Sequence, residues 1–151
     1  MSDAHDDAAV SAMAAQIDEW LAQLAETNSA VEAVDRAEGV DRWYVRLRGE
    51  EKEHTTVWLT LGQRTLRYEA YVMPAPQENI VQVYELALRR NEKLVGAHFA
   101  IGVEDAVFLR GELPLVAVCA DEIDRVIGSI YAYAEQSFPA MIRLGFASHF
   151  A

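Results

Sequence analysis

The sequence predicts an α+β fold, a single domain in which helices pack on an antiparallel sheet. Three observations carry this. Hydrophobic periods run in the order helix, three strands, helix, two strands, helix, or αβββαββα. The first three strands follow one another through short turns, which suits antiparallel pairing. At 151 residues the chain has the length of one domain, long enough to bury a core without a disulfide or metal.

The elements follow in order. Residues 1–7 are acidic and are expected to form a disordered tail, with the folded domain over 8–151. The tail lacks the basic and apolar regions of a signal peptide, so the cytoplasm is the expected compartment. The first helix is expected over Ala8 to Asn28, because Met13, Ile17, Trp20, Leu21 and Leu24 make one stripe. Ser29 to Val40 reads two ways, as a helical extension or as a short strand.

Alternation then marks three strands. Over Arg42 to Arg48, Trp43, Val45 and Leu47 point inward. Over Thr55 to Leu61, Val57, Leu59 and Leu61 do. Over Thr65 to Val72, Leu66, Tyr68, Ala70 and Val72 do. Gly62-Gln63 is expected to make the tight turn between the last two. Pro74 and Pro76 end the third strand, since proline cannot donate to a ladder.

A second helix is expected over Gln77 to Asn91, with Ile80, Val83, Tyr84, Ala87 and Leu88 on its inner face. Strands follow over Ala97 to Ile101 and Ala106 to Glu112, joined by a turn at Gly102 to Asp105. Leu115 to Ala120 reads as extended or already helical, and Cys119 within it as a buried small hydrophobe. The last helix is expected from Asp121 as its N-cap, with a stripe of Ile123, Val126, Ile127, Ile130, Ala134 and Phe138. Pro139 should kink or break it. Tyr131 and Tyr133 fall off that stripe, and Met141, Ile142, Leu144 and Phe146 follow. A homodimer seam and burial within the chain are the two readings of this end.

Composition narrows the function classes. The net charge is −11, with an isoelectric point near 4.7. That balance argues against a nucleic-acid partner, which needs clustered Lys and Arg, and against an anionic membrane surface. The lone Cys119 allows no intrachain disulfide. His5, His54, His98 and His149 show no metal-ligand spacing, so neither a metal nor a cofactor is expected. The carboxylate pairs Glu50-Glu51, Glu104-Asp105 and Asp121-Glu122 sit in turns or at a helix start, where solvated acids are the default. No serine lies in a nucleophile elbow, and no glycine cluster makes a phosphate loop. No catalytic residue is expected.

Three segments carry a family resemblance: Tyr71-Val72-Met73-Pro74-Ala75-Pro76-Gln77-Glu78-Asn79, then Asn91-Glu92-Lys93-Leu94-Val95-Gly96-Ala97-His98-Phe99-Ala100-Ile101, then Val107-Phe108-Leu109-Arg110-Gly111-Glu112-Leu113-Pro114. Together they resemble the actinobacterial branch of the YbjN-domain family, labelled bacterial sensory transduction regulators, over Val10 to Phe150. The resemblance implies a type III secretion chaperone-like fold, a sandwich of helices on an antiparallel sheet. It implies no catalytic residue.

One face of the predicted sheet stands out. Its outward positions include Tyr44, Arg46, Arg48, Trp58, Arg67 and Tyr71. Arginine and large aromatics are the side chains of binding hot spots, and arginine pairs bidentately with carboxylates. The alternative is that these residues only stabilise an exposed sheet through cross-strand pairs, or lie under a second subunit. The function expected is a non-enzymatic protein- or peptide-binding module with a chaperone-like or regulatory role. The partner is an unidentified protein or peptide, and a homodimer is a further reading. The alternative function is a small-metabolite sensor with its pocket between sheet and helices.

Overall fold

The fold is taken from a computed structural model, which describes residues 5–151. Three helices, α1 (Asp7–Thr27), α2 (Ile80–Asn91) and α3 (Ala120–Gly145), accompany six strands. The strands are β1 (Val31–Arg36), β2 (Arg42–Arg48), β3 (His54–Leu61), β4 (Thr65–Met73), β5 (His98–Ile101) and β6 (Val107–Pro114). They form one sheet in the order β1-β2-β3-β4-β6-β5, and every neighbouring pair is antiparallel.

The alternation read from the sequence sets the core. Trp43, Val45, Leu47, Val57, Leu59, Leu61, Leu66, Tyr68, Ala70 and Val72 are all buried. Above them lie α1 against β1, α3 against β3 and β4, and α2 against α3 and β5. Ile17, Leu21, Ile123, Ile127 and Ile130 fill the space between the layers. The Trp43 indole N–H reaches Asp18 of α1 at 2.7 Å, and Arg36 stacks 5.0 Å above the same ring while pairing with Asp18. One carboxylate thus fixes α1 to two strands.

Several expectations change. The expected tail overlaps α1: Asp6 caps that helix by accepting from Ala9 N–H, and Asp7 is its first residue. The part of the tail over 1–4 lies outside the described residues. The ambiguous segment after α1 is a strand, β1, which makes the sheet six-stranded. The β3–β4 turn is centred on Gln63 and Arg64, one residue later than expected, because Gly62 and Thr65 pair across it. In α2, Val83 and Ala87 are buried but Ile80 and Leu88 are exposed, so the expected inner face is rotated.

Cys119 is exposed rather than buried. Of the two readings of this segment, extended or helical, a 3-10 turn forms over Leu115–Ala117, burying Leu115 and Val118 and turning Cys119 outward. Cys119 also occupies the N-cap position of α3, and Asp121 falls in the first turn. Pro139 does not break α3. The lost hydrogen bond and the clash of the ring with the preceding turn together cost about 3 kcal/mol, and packing offsets it. Met141 is buried beyond the proline, and Gly145 C=O accepts from both Gln77 and Glu78 N–H at 2.9 Å.

Two tethers bind the sheet to its surroundings, one to α3 and one to the loop between α2 and β5. Glu135 of α3 accepts from the backbone N–H groups of Glu50, Glu51 and Lys52 in the β2–β3 hairpin, at 3.0, 2.9 and 3.3 Å. Gly49 makes room for it, since a Cβ there would lie 2.2 Å from the Glu135 carboxylate. Desolvation lowers the Lys52 ammonium pKa, and nearby Glu135 opposes that shift. The second tether is the Tyr68 hydroxyl, which donates to Gly96 C=O.

Candidate functional site

Residues on the other face of the same strands are mostly exposed or half-buried, and among the described residues no helix packs over them. The register arranges them in rows. The longest row crosses all six strands: Asp35, Tyr44, Trp58, Glu69, Arg110 and His98 each stand opposite the next. Beside it run Arg42, Thr60, Arg67 and Glu112. On the other side, Tyr71, Phe108 and Ala100 make a third, shorter row.

The middle of this face is aromatic. Trp58 is 39% exposed and meets Tyr44 edge to face at 5.4 Å. Tyr71, 43% exposed, meets Phe108 the same way at 5.7 Å. Burial, reinforced by the charge of Glu104, raises the Tyr71 phenol above its ordinary pKa, so it stays a neutral hydroxyl. Arg110 stacks 4.7 Å over Phe108 and donates to Glu69 at 2.9 Å. Gly102 allows that packing, because a Cβ there would lie 2.4 Å from the Phe108 ring.

The arginines divide by engagement. Arg46 is committed within the chain: it contacts His54 Nδ1 at 3.0 Å and Glu32 at 3.8 Å, while His54 Nε2 meets Glu32 at 3.0 Å. Arg42 donates to Thr60 at 3.1 Å. Arg67 is exposed and makes no hydrogen bond or ion pair among the described residues. Arg48 lies at the end of β2, where its own C=O accepts from the Tyr131 hydroxyl at 2.8 Å. The structure therefore brings Tyr44, Trp58, Arg67 and Tyr71 onto one surface. Arg46 lies on the same surface with its guanidinium already paired, and Arg48 lies at its margin.

Sequence reading missed Phe108, Arg110, His98, Asp35 and Glu32 on this face. The sequence over Ala106 to Glu112 does not mark two faces, and that around Glu32 and Asp35 fits a helix as well as a strand.

The C-terminal end of α3 is consumed within the chain. Tyr131 holds the hairpin as above, and the Tyr133 hydroxyl meets both Val95 N–H and C=O. Met141 is buried, and Ile142, Leu144 and Phe146 pack on the core. A groove of about 220 Å³ lies under α2, and a wider one of about 500 Å³, within the ~300–1,000 Å³ usual for small-molecule sites, lies between α1 and β1. No helix among the described residues is long and apolar enough to cross a membrane.

Comparison with known proteins fits this architecture. Residues 14–143 match the YbjN family, described as "Putative bacterial sensory transduction regulator". The chain belongs to the YbjN family. An uncharacterised protein of Mycobacterium tuberculosis is 38% identical to this YbjN chain over 104 residues, which is 69% of this chain and 57% of that one. One from Mycobacterium leprae is 34% identical over 111 residues, 74% of this chain and 60% of that one. The YbjN chain thus spans less than two thirds of these relatives. Among solved structures, it is similar to the Yersinia pestis type III secretion chaperone SycH in complex with a stable fragment of YscM2. The TM-score is 0.52 at 17% identity, covering 80% of this chain and 95% of that one. It is also similar to a chain of the ExsC–ExsE complex, with TM-score 0.57 at 17% identity, covering 81% and 90%. At that identity the likeness shows the fold alone, a type III secretion chaperone-like sheet backed by helices.

Proposed function

We propose that this YbjN-family chain is a non-enzymatic protein- or peptide-binding module with a chaperone-like or regulatory role in the cytoplasm, and that the uncovered sheet face is where its partner docks. The observation that carries the reading is Trp58. It sits in the centre of a six-strand row, packed on Tyr44 and open to solvent, where a structural tryptophan would be covered. The two solved structures compared above are complexes with a second protein, which supports a protein partner.

The face also suggests the partner's chemistry. Arg42, Arg46, Arg67 and Arg110 stand among Glu32, Asp35, Glu69 and Glu112, so this surface is near charge balance in a chain of net charge −11. An acidic partner, repelled elsewhere, can approach here. Trp58, Tyr44 and Tyr71 serve as apolar anchors, and Arg67 takes a carboxylate. Arg46 and Arg48 add to the rim, Arg46 only by giving up Glu32.

The test is affinity capture from native lysate with wild type, Trp58→Ala and Arg67→Ala, followed by direct binding of the purified candidate. Wild type should retain a protein that Trp58→Ala loses at least tenfold, with unchanged circular dichroism. A purified partner that binds Trp58→Ala as tightly as wild type sinks the proposed face.

A further inference from the structure

A further groove lies at the corner of the sheet where β5 begins. β5 is four residues long, and its pairing with β6 ends at His98 opposite Arg110. β6 runs on to Pro114 with no strand on that side among the described residues. The loop before β5 crosses the gap. Gly96, at φ +74°, accepts from the Tyr68 hydroxyl, and the Asn91 amide bonds to both Phe99 N–H and C=O. Gly111 lets the loop lie close, because a Cβ there would come within 2.3 Å of the Gly96 carbonyl oxygen. The result is a groove of about 670 Å³, within the ~300–1,000 Å³ usual for small-molecule sites.

The charged groups of the lining are of two kinds. Arg110 is already neutralised by Glu69 at 2.9 Å. Arg67 and Glu112 stand directly opposite one another in the β4–β6 register, yet they make no ion pair with each other or with any other group among the described residues. A guanidinium fork receives a carboxylate, and a carboxylate receives an ammonium. Net charge decides what carries them. A plain anion meets Glu112 and a chain of net charge −11, and a plain cation meets Arg67. A ligand that is neutral overall and carries both charges meets neither penalty. Leu94 and Ala100, also in the lining, add an apolar wall.

We propose that this groove binds a free α-amino acid. Its carboxylate lies on Arg67 and its ammonium on Glu112, and an apolar side chain lies along Leu94 and Ala100. One carbon carries both charged groups, which suits two receptors on neighbouring strands. The inference goes beyond the docking reading and shares with its anchors only Arg67.

Titration of the full chain with L-leucine and with glycine, followed by amide chemical shifts, tests this. Both should give saturable shifts at Gly96, His98 and Gly111, L-leucine at the lower concentration. Acetate and propylammonium, each holding one of the two charges, should bind at least about tenfold more weakly than L-leucine. Arg67→Gln and Glu112→Gln should each weaken L-leucine at least about tenfold, with circular dichroism unchanged, and Trp58→Ala should leave it as it is. The readout needs no protein partner, so it stands or falls apart from the docking face. No saturable shift with either amino acid up to its solubility limit overturns the inference. So does binding that a folded Arg67→Gln or Glu112→Gln chain retains in full, or acetate bound as tightly as L-leucine.

Discussion

On β3, Val57, Leu59 and Leu61 turn toward the helices, and Thr56, Trp58 and Thr60 turn away. Adjacent residues of one strand thus belong to two different surfaces. The helix side is closed by aliphatic packing and by tethers such as Glu135 and Asp18. The far side holds its aromatics by edge-to-face contact and leaves them open. The contrast teaches that the inner face of this sheet fixes the fold, while the outer face is free to be chosen for recognition.

The sharpest way to break that division is to mutate neighbours. Leu59→Ala should cost about 2–5 kcal/mol, because Leu59 is fully buried among side chains that cannot collapse around the hole. Trp58→Ala should cost less than about 1 kcal/mol, since the ring is partly exposed already. Urea unfolding midpoints read both. Equal costs would mean that the outer face is structural after all.

A smaller effect of opposite sign belongs to Thr55. Its side chain is fully buried on the inner face, and its hydroxyl has no hydrogen-bond partner. Thr55→Val removes an unsatisfied polar atom at nearly the same volume and should stabilise the fold by about 1 kcal/mol. A loss of stability in the same urea experiment would show that the hydroxyl is satisfied.

The smallest expected effect lies at the end of the helix layer. Glu78 accepts from the Ser148 hydroxyl and N–H, and these hydrogen bonds hold its carboxyl below the ordinary value. A depressed carboxyl stabilises above its unfolded pKa, and that contribution is lost as pH falls through the folded pKa. The segment Ala147–Phe150 should therefore loosen in acid first, seen as faster amide exchange at Ser148. Glu78→Gln should abolish that pH step, while the binding proposed for the sheet face stays as it was.

Much of this was legible in the sequence, because period-two alternation survives burial. Every inward residue read from β2, β3 and β4 is buried. β1 was obscured for a physical reason. The register shifts between Val31 and Ala33, so Val31 and Val34 both face inward at a spacing of three, which imitates a helix. α2 misled differently, since it is apolar on two sides and periodicity cannot say which side the chain itself covers. For the candidate site, the sequence showed which residues share a face. It could not show that Arg46 is already paired with Glu32, because that contact joins a segment whose pattern fits a helix as well as a strand.

At one border of the sheet, the Asn91 side chain accepts from Phe99 N–H at 2.6 Å and donates to Phe99 C=O at 3.3 Å, the two groups that an added strand would use. At the opposite border of the sheet, the N–H and C=O of Val34 and Arg36 point outward with no hydrogen-bond partner among the described residues. A sheet with two live borders can recruit copies end on end without limit, the geometry of a fibre. This one has a single live border and a plugged one. Pairing at the β5 border is blocked at Phe99, and one asparagine there takes the place of the neighbouring strand that an open edge invites.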